Sequence, residues 1–198
     1  MQTMLMNLDE KHILLYFVNK DTQAAVEKMG WAGRVVESGD KDYIHFVGVN
    51  FGGQKSNLFV KENVDFNSNS SKHTVTVTFK NPYPASDCNL ERGNLCLNAP
   101  LRNWIRFYVP KGSKLTKFTG SRTETVTYDE LGKTVFEGFM IVDPEGKAEV
   151  SLEYTTPSNI DVKKLIVQKQ AGVLDQTWNI SKDGKKVFDG VLLKDGEY

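Results

Sequence analysis

Along most of the chain hydrophobic and polar residues alternate with a period of two. His73-Thr-Val-Thr-Val-Thr-Phe79 shows it best: Val75, Val77 and Phe79 fall on one side, Thr74, Thr76 and Thr78 on the other. That period belongs to a strand whose two faces meet different surroundings. It predicts an antiparallel sheet with one buried and one wet face. Further strands are expected over 58–66, 103–109, 114–119, 124–128, 134–142, 148–154, 163–168, 176–181 and 186–193. Asp183-Gly184, between the last two, has the composition of a two-residue type I′ hairpin turn. Pro82, Pro84 and Pro100 interrupt the ladder between the strands at 73–79 and 103–109. Short strands at this spacing predict a mainly β protein, an antiparallel β-sandwich.

The first fifty residues have a different rhythm. His12-Ile-Leu-Leu-Tyr-Phe-Val18 is a continuous apolar run, expected to be a strand buried on both faces. Asp21 is an N-cap candidate for a helix over 22–29. Gly30 can take the left-handed position after that helix, with Trp31 as the following apolar contact. Tyr43-Ile-His-Phe-Val-Gly-Val-Asn50 returns as a strand. The expected organisation is therefore a short β-α-β lead-in over 1–57, the end of a preceding domain, followed by a sandwich module over 58–198.

Charge removes several functions. The chain carries 25 basic and 25 acidic residues and no net charge. It has no overall field to attract nucleic acid or an anionic membrane. No apolar stretch approaches the ~20 residues of a membrane span, so no direct membrane insertion is expected. The opening Met1-Gln-Thr-Met-Leu-Met6 lacks the basic and small-residue features of an export signal. If the protein is exported, its signal lies outside this sequence.

Two cysteines, Cys88 and Cys96, share a short loop rich in Asn, Pro and Gly. A loop of this length readily brings two Cα atoms to the separation a disulfide needs, and such a ring would stabilise by about 2.5 kcal/mol on the chain-entropy account. The bridge points to an oxidising compartment; two unrelated free thiols are the alternative. No C-x-x-C and no neighbouring His speak for zinc or thioredoxin-like chemistry, so neither metal nor cofactor is expected.

Gly48-Val-Asn-Phe-Gly-Gly-Gln-Lys-Ser56 resembles a phosphate-binding loop, but Gln54 separates Gly53 from Lys55 and a strand, not a helix, is expected to follow. Gly52, Gly53 and Lys55 are read instead as a tight turn, with positive φ at one glycine. His12, His45 and His73 stand alone in or beside strands and read as structural. The acidic residues fall at turn-like positions. Trp104, Arg106 and Tyr108 share one strand face, opposite Ile105, Phe107 and Val109. They form the best candidate for an exposed sugar-stacking surface; the other reading is that this aromatic face covers a loop.

Taken in order, 11–17, 30–33, 50–57, Arg102-Asn-Trp-Ile-Arg-Phe-Tyr-Val-Pro-Lys-Gly-Ser113, Lys133-Thr-Val-Phe-Glu-Gly-Phe139 and Val167-Gln-Lys-Gln170 resemble the C-terminal part of bacterial proteins of domain of unknown function 4012 (DUF4012). The resemblance covers nearly the whole chain and rests on the order of its motifs. It implies a larger parent, anchored in a membrane through an N-terminal segment, with an extracytoplasmic body and roles in the envelope or exopolysaccharides. It carries over no catalytic residue.

The expected function is a non-catalytic, extracytoplasmic β-sandwich module of a bacterial envelope protein, structural or adhesive, with envelope proteins or cell-wall polysaccharide as partners. One alternative is a carbohydrate-binding module using Trp104, Arg106 and Tyr108. A second is an accessory part of a hydrolase, to which the Gly52-Gly53-Lys55 turn would contribute.

Overall fold

In a computed structural model, which describes residues 2–198, the alternating segments become two six-stranded sheets packed face to face. The first sheet runs, in spatial order, β12 (Gly196–Glu197), β9 (Asp161–Gln168), β1 (Lys41–Asn50), β4 (Leu101–Pro110), β7 (Lys133–Val142) and β6 (Val126–Glu130). The second runs β11 (Lys185–Val191), β10 (Gln176–Lys182), β2 (Lys61–Asn69), β3 (Lys72–Lys80), β8 (Lys147–Thr155) and β5 (Lys114–Thr119). The mainly β sandwich is as expected. Each sheet also holds one parallel pair, β1 with β9 and β10 with β2, so the sheets are mixed rather than purely antiparallel.

The core forms where the inner faces meet. Ile44, Phe46, Ile105, Phe107 and Phe136 of the first sheet face Val64, Phe66, Val75, Val77, Phe79, Leu152 and Trp178 of the second, all buried. Phe46 meets Phe79 edge-on across the gap, ring centroids 6.1 Å apart. The Asp183-Gly184 turn has φ of 48° and 75°, the two positive values that a type I′ turn requires.

One polar bridge crosses this core. His73 Nε2 lies 2.7 Å from Asp42 Oδ2, and neither side chain is more than 1% exposed. Nδ1–H of His73 donates to the Ser71 carbonyl at 3.1 Å, and Asp42 Oδ1 accepts the Tyr43 N–H at 2.8 Å. The Ser71 carbonyl can only accept, so Nδ1 carries a proton and a further proton must lie between Nε2 and Oδ2. Tyr154 stacks on the imidazole at 4.8 Å. Its buried hydroxyl has no partner among the described residues, and burial, with the Asp42 carboxylate nearby, pushes its pKa well up.

The lead-in departs from expectation. Residues 12–18 form no strand. Leu14, Tyr16 and Val18 are exposed, and the run is tied instead by Leu15 N–H to the Trp31 carbonyl and Phe17 N–H to Gln23 Oε1. An apolar run carries no period, and a strand also needs a partner. Both edges of β1 are already taken, by β9 and β4. A helix not foreseen, α1 (Gln2–Asp9), precedes this run. The foreseen helix, α2 (Lys20–Lys28), is capped by Asn19 rather than Asp21: Asn19 Oδ1 accepts the N–H groups of Asp21 and Thr22. Gly30 takes φ +78° as expected, and the Trp31 N–H to Val26 carbonyl bond completes a Schellman end.

β1 belongs to the sandwich itself, hydrogen-bonded along both edges. A boundary at residue 57 therefore cuts through the first sheet. Buried lysines hold the remaining lead-in. Lys11 pairs with both carboxylate oxygens of Asp195 at 2.6 and 2.7 Å. The Lys169 ammonium donates to three carbonyls, of Glu10, Gln170 and Val173.

The cysteines are bonded, Cys88 to Cys96. Their ring holds a 3-10 turn over Leu90–Arg92, begun by the Asn89 side chain and ended by Gly93 at φ +76°. Buried Asn81 and Asn98 side chains, joined at 2.7 Å, fasten its base.

Candidate functional site

Alternation along β4 puts Trp104, Arg106 and Tyr108 on the outer face of the first sheet. Cross-strand pairing sets each in a row: Val49–Trp104–Phe139, Val47–Arg106–Glu137 and His45–Tyr108–Val135. The three rows do not share one environment.

The Trp104 row is partly open: Val49 is exposed, and Trp104 and Phe139 are half-buried. The indole lies 6.0 Å from the Phe51 ring and 5.8 Å from Phe139, tilted by 51° and 48°. Phe51 is 68% exposed. Beside it, Arg106 Nε donates to Glu137 Oε2 at 2.6 Å, and the Tyr128 hydroxyl donates to the same oxygen at 2.7 Å. Burial favours the protonated Glu137 carboxyl, but the Tyr128, Trp104 and Arg106 donors and the guanidinium charge outweigh it and hold the carboxyl below its usual range. The result is a fixed ion pair at the border of an aromatic strip.

The Tyr108 row is covered. Residues 33–38 cross this part of the sheet, where Val35 and Val36 pack on Tyr43, Tyr108 and Val135. Gln168 fastens the crossing: its Oε1 accepts from Val36 N–H and from the Tyr43 hydroxyl, and its Nε2 donates to the Arg34 carbonyl. The Lys133 ammonium sits 4.1 Å over the Tyr43 ring and donates to Ser38 Oγ. Burial pulls its pKa down to about 8. Tyr108 is buried and donates to Glu130 Oε2 at 2.8 Å. Burial and that acceptor push its pKa up. The expected trio is thus divided: Trp104 and Arg106 are half-buried outside the crossing segment, and Tyr108 lies beneath it.

The Gly52-Gly53-Lys55 turn adjoins the open row. Phe51 N–H donates to the Arg102 carbonyl at 2.8 Å, which carries the chain off the end of β1 with Phe51 beside Trp104. Gly53 takes the left-handed φ, +74°, and Gly52 does not. Lys55 is exposed at the start of a 3-10 turn over Ser56–Leu58 and makes no ion pair among the described residues. The strand expected from 58 accordingly starts at Lys61.

Sequence reasoning missed Phe51, Phe139 and Glu137. Their signal was faint: Phe139 and Glu137 stand opposite Trp104 and Arg106 only once the register of β4 and β7 is known, and Phe51 comes beside Trp104 only through the turn that leaves β1. The other tryptophans are elsewhere. Trp178 is core, and Trp31 Nε1 donates to Asp9 in the lead-in. Among the histidines, His73 is sealed with Asp42, and His45 is buried with Nδ1–H on the Gln168 carbonyl at 2.9 Å. Among the described residues no group of three or more His, Cys, Asp or Glu side chains is placed to hold a metal ion, and no helix is long and apolar enough to cross a membrane.

No family model matches the chain, and no curated protein matches it. Among solved structures, a protein of Legionella pneumophila described as "a putative nutrient binding protein" is similar over 70% of this chain, with 9% identity and a TM-score of 0.36. The matched part spans 54% of that structure's chain, about half its length. A likeness at this level assigns no function.

Proposed function

We propose that the chain is a non-catalytic, extracytoplasmic β-sandwich module of an envelope protein, adhesive in role, whose contact surface for cell-wall polysaccharide is the open part of the first sheet's outer face. The observation that carries this reading is the strip Phe51–Trp104–Phe139, with Phe51 exposed and Trp104 and Phe139 half-buried, beside the tied Arg106–Glu137 pair. The face of an indole carries negative partial charge, which suits the C–H face of a pyranose, and planar ion pairs at its border suit hydroxyls. The disulfide supports an oxidising compartment. The motif order resembling DUF4012 supports an envelope setting. The groups best suited to acid–base work, His73 and Asp42, are shut inside the core, which favours binding over catalysis.

Cosedimentation of the chain with purified cell-wall polysaccharide tests the reading. Trp104→Ala should weaken binding at least about tenfold, the loss of one stacked ring. The fold should survive, because Trp104 lies outside the core. Wild-type protein that stays in the supernatant, or a variant that sediments like wild type, would overturn it.

A further inference from the structure

Where β1 finishes and β2 and β4 begin, the sandwich ends in a cleft lined from both sheets. One lobe, of 250 Å³, is walled by Asn50, Glu62, Asn103 and Gln170. A second, of 280 Å³, shares Glu62 and is walled by Phe59, Val60 and Tyr83. Joined, the lobes fall within the roughly 300–1,000 Å³ of small-molecule sites.

Asn103 is the informative residue. It is only 3% exposed, yet its side-chain amide has no partner among the described residues, although it lines the first lobe. The backbone makes room for it: a Cβ on Gly48 would lie 2.8 Å from Asn103 Nδ2. Gly48 is itself held by the Gln170 amide, which accepts from its N–H and donates to its carbonyl, both at 2.8 Å. The amide is not sealed: among the described residues only the Tyr154 hydroxyl is both shut off from solvent and unpartnered, so the Asn103 donor and acceptor are presented to whatever enters the lobe.

Glu62 continues the row. One carboxyl oxygen accepts from Gln176 Nε2 at 2.7 Å, and Gln176 Oε1 accepts the Trp178 indole N–H at 2.8 Å. The other oxygen has no partner among the described residues, and the residue borders both lobes. Burial pushes the Glu62 carboxyl pKa up, and the Gln176 hydrogen bond only partly opposes this. The first lobe contains no lysine or arginine, and the one lysine of the second, Lys61, stands with Glu62 and Asp175, so the joined cleft has no net positive charge to hold an anion. An amide and a carboxyl with a free oxygen match vicinal hydroxyls, each a donor and an acceptor. The edge-to-face pair Phe59–Tyr83, at 6.0 Å, gives the second lobe an apolar wall.

We infer that this cleft is a second binding site, which seats one pyranose ring with its hydroxyls on Asn103 and Glu62 and its C–H face toward Phe59 and Tyr83. It does not depend on the Trp104 strip, since successive residues of β4 point to opposite faces of the sheet.

NMR titration of the full chain with glucose, mannose and N-acetylglucosamine, each to tens of millimolar, tests the site. At least one sugar should shift the side-chain amide signals of Asn103 and Gln176 while leaving the Trp104 indole signal in place. Asn103→Leu should weaken that sugar at least tenfold, read at Gln176, with the melting temperature unchanged or raised, because it removes a partnerless amide. Trp104→Ala should leave this titration unchanged, which separates its outcome from that of the polysaccharide surface. Three results would overturn the inference: no sugar moves these signals, Asn103→Leu binds like wild type, or Asn103→Leu melts several degrees lower and so reveals a structural bond.

Discussion

The two sheets share one core but turn different backs to their surroundings. Behind the second sheet runs a polar row, Asn179–Asp65–Thr76–Ser151. It is knit by Asn179 Nδ2 to Asp65 Oδ1 at 2.8 Å and by the Thr76 and Ser151 hydroxyls at 2.9 Å. Behind the first sheet lie Tyr43, Val47, Trp104, Tyr108, Val135 and Phe139, part covered by residues 33–38 and part open. A one-sided sheet reads as strict alternation and a two-sided one as a nearly continuous apolar run. Apolar residues on an outer face need a cover or stay in contact with water. This molecule covers the half nearest its lead-in and leaves the other half as a surface.

If the difference lies only in the outer faces, the largest effect should come from inside, where the sheets meet on equal terms. Asp42→Ala would leave His73 buried beside an empty site. Breaking one side of a buried pair costs about 3–5 kcal/mol. The double change Asp42→Leu with His73→Leu should cost far less, because no charge or donor is then stranded. Urea unfolding of the three proteins reads the contrast. Equal losses in the single and double variants would show that packing, not the polar bridge, sets the cost.

The covered half can be tested by pH. Burial lowers the His45 pKa to about 4, against 6.5 for the free side chain, with the Gln168 carbonyl only partly opposing it. Between these values the unfolded chain binds the extra proton and the folded chain does not. Stability therefore falls as pH drops from about 6.5 to 4, by up to about 3 kcal/mol. His45→Gln keeps an N–H donor for the Gln168 carbonyl and removes the titration. Its stability should lose that slope over the same window while wild type keeps it. Parallel curves would mean that the covering segment admits water to His45.

How much of this was legible follows the same division. β3 could be read from its Thr and Val residues because its two faces meet opposite solvents, and the Asp183-Gly184 turn because few residues accept its two positive φ values. The run at 12–18 misled because an apolar stretch with no period says that burial is wanted but not what will pair with it. β1 looked like part of a separate unit for a related reason: its parallel partner, β9, lies more than a hundred residues further on. Trp104 and Arg106 were visible from alternation along one strand. That Tyr108 would be covered, and that Phe51, Phe139 and Asn103 would matter, depends on register between strands and on loops crossing a face, which no local pattern encodes.

The smallest effects give the sharpest form of the comparison, because one chemical exchange can be made behind each sheet. Thr and Val have nearly the same shape but differ by a hydroxyl. Behind the first sheet Val135 is fully buried under the crossing segment. Val135→Thr would place a hydroxyl there in apolar contact and cost about 1–3 kcal/mol. Behind the second sheet Thr76 is half-buried, and its partner Ser151 can turn to water. Thr76→Val should stay within about 0.5 kcal/mol of wild type. Denaturant midpoints of the two variants decide the matter. A loss at position 76 equal to that at 135 would mean that the polar row is a sealed network, and a neutral Val135→Thr would mean that residues 33–38 lie loosely on the sheet and that its outer face is open along its whole length.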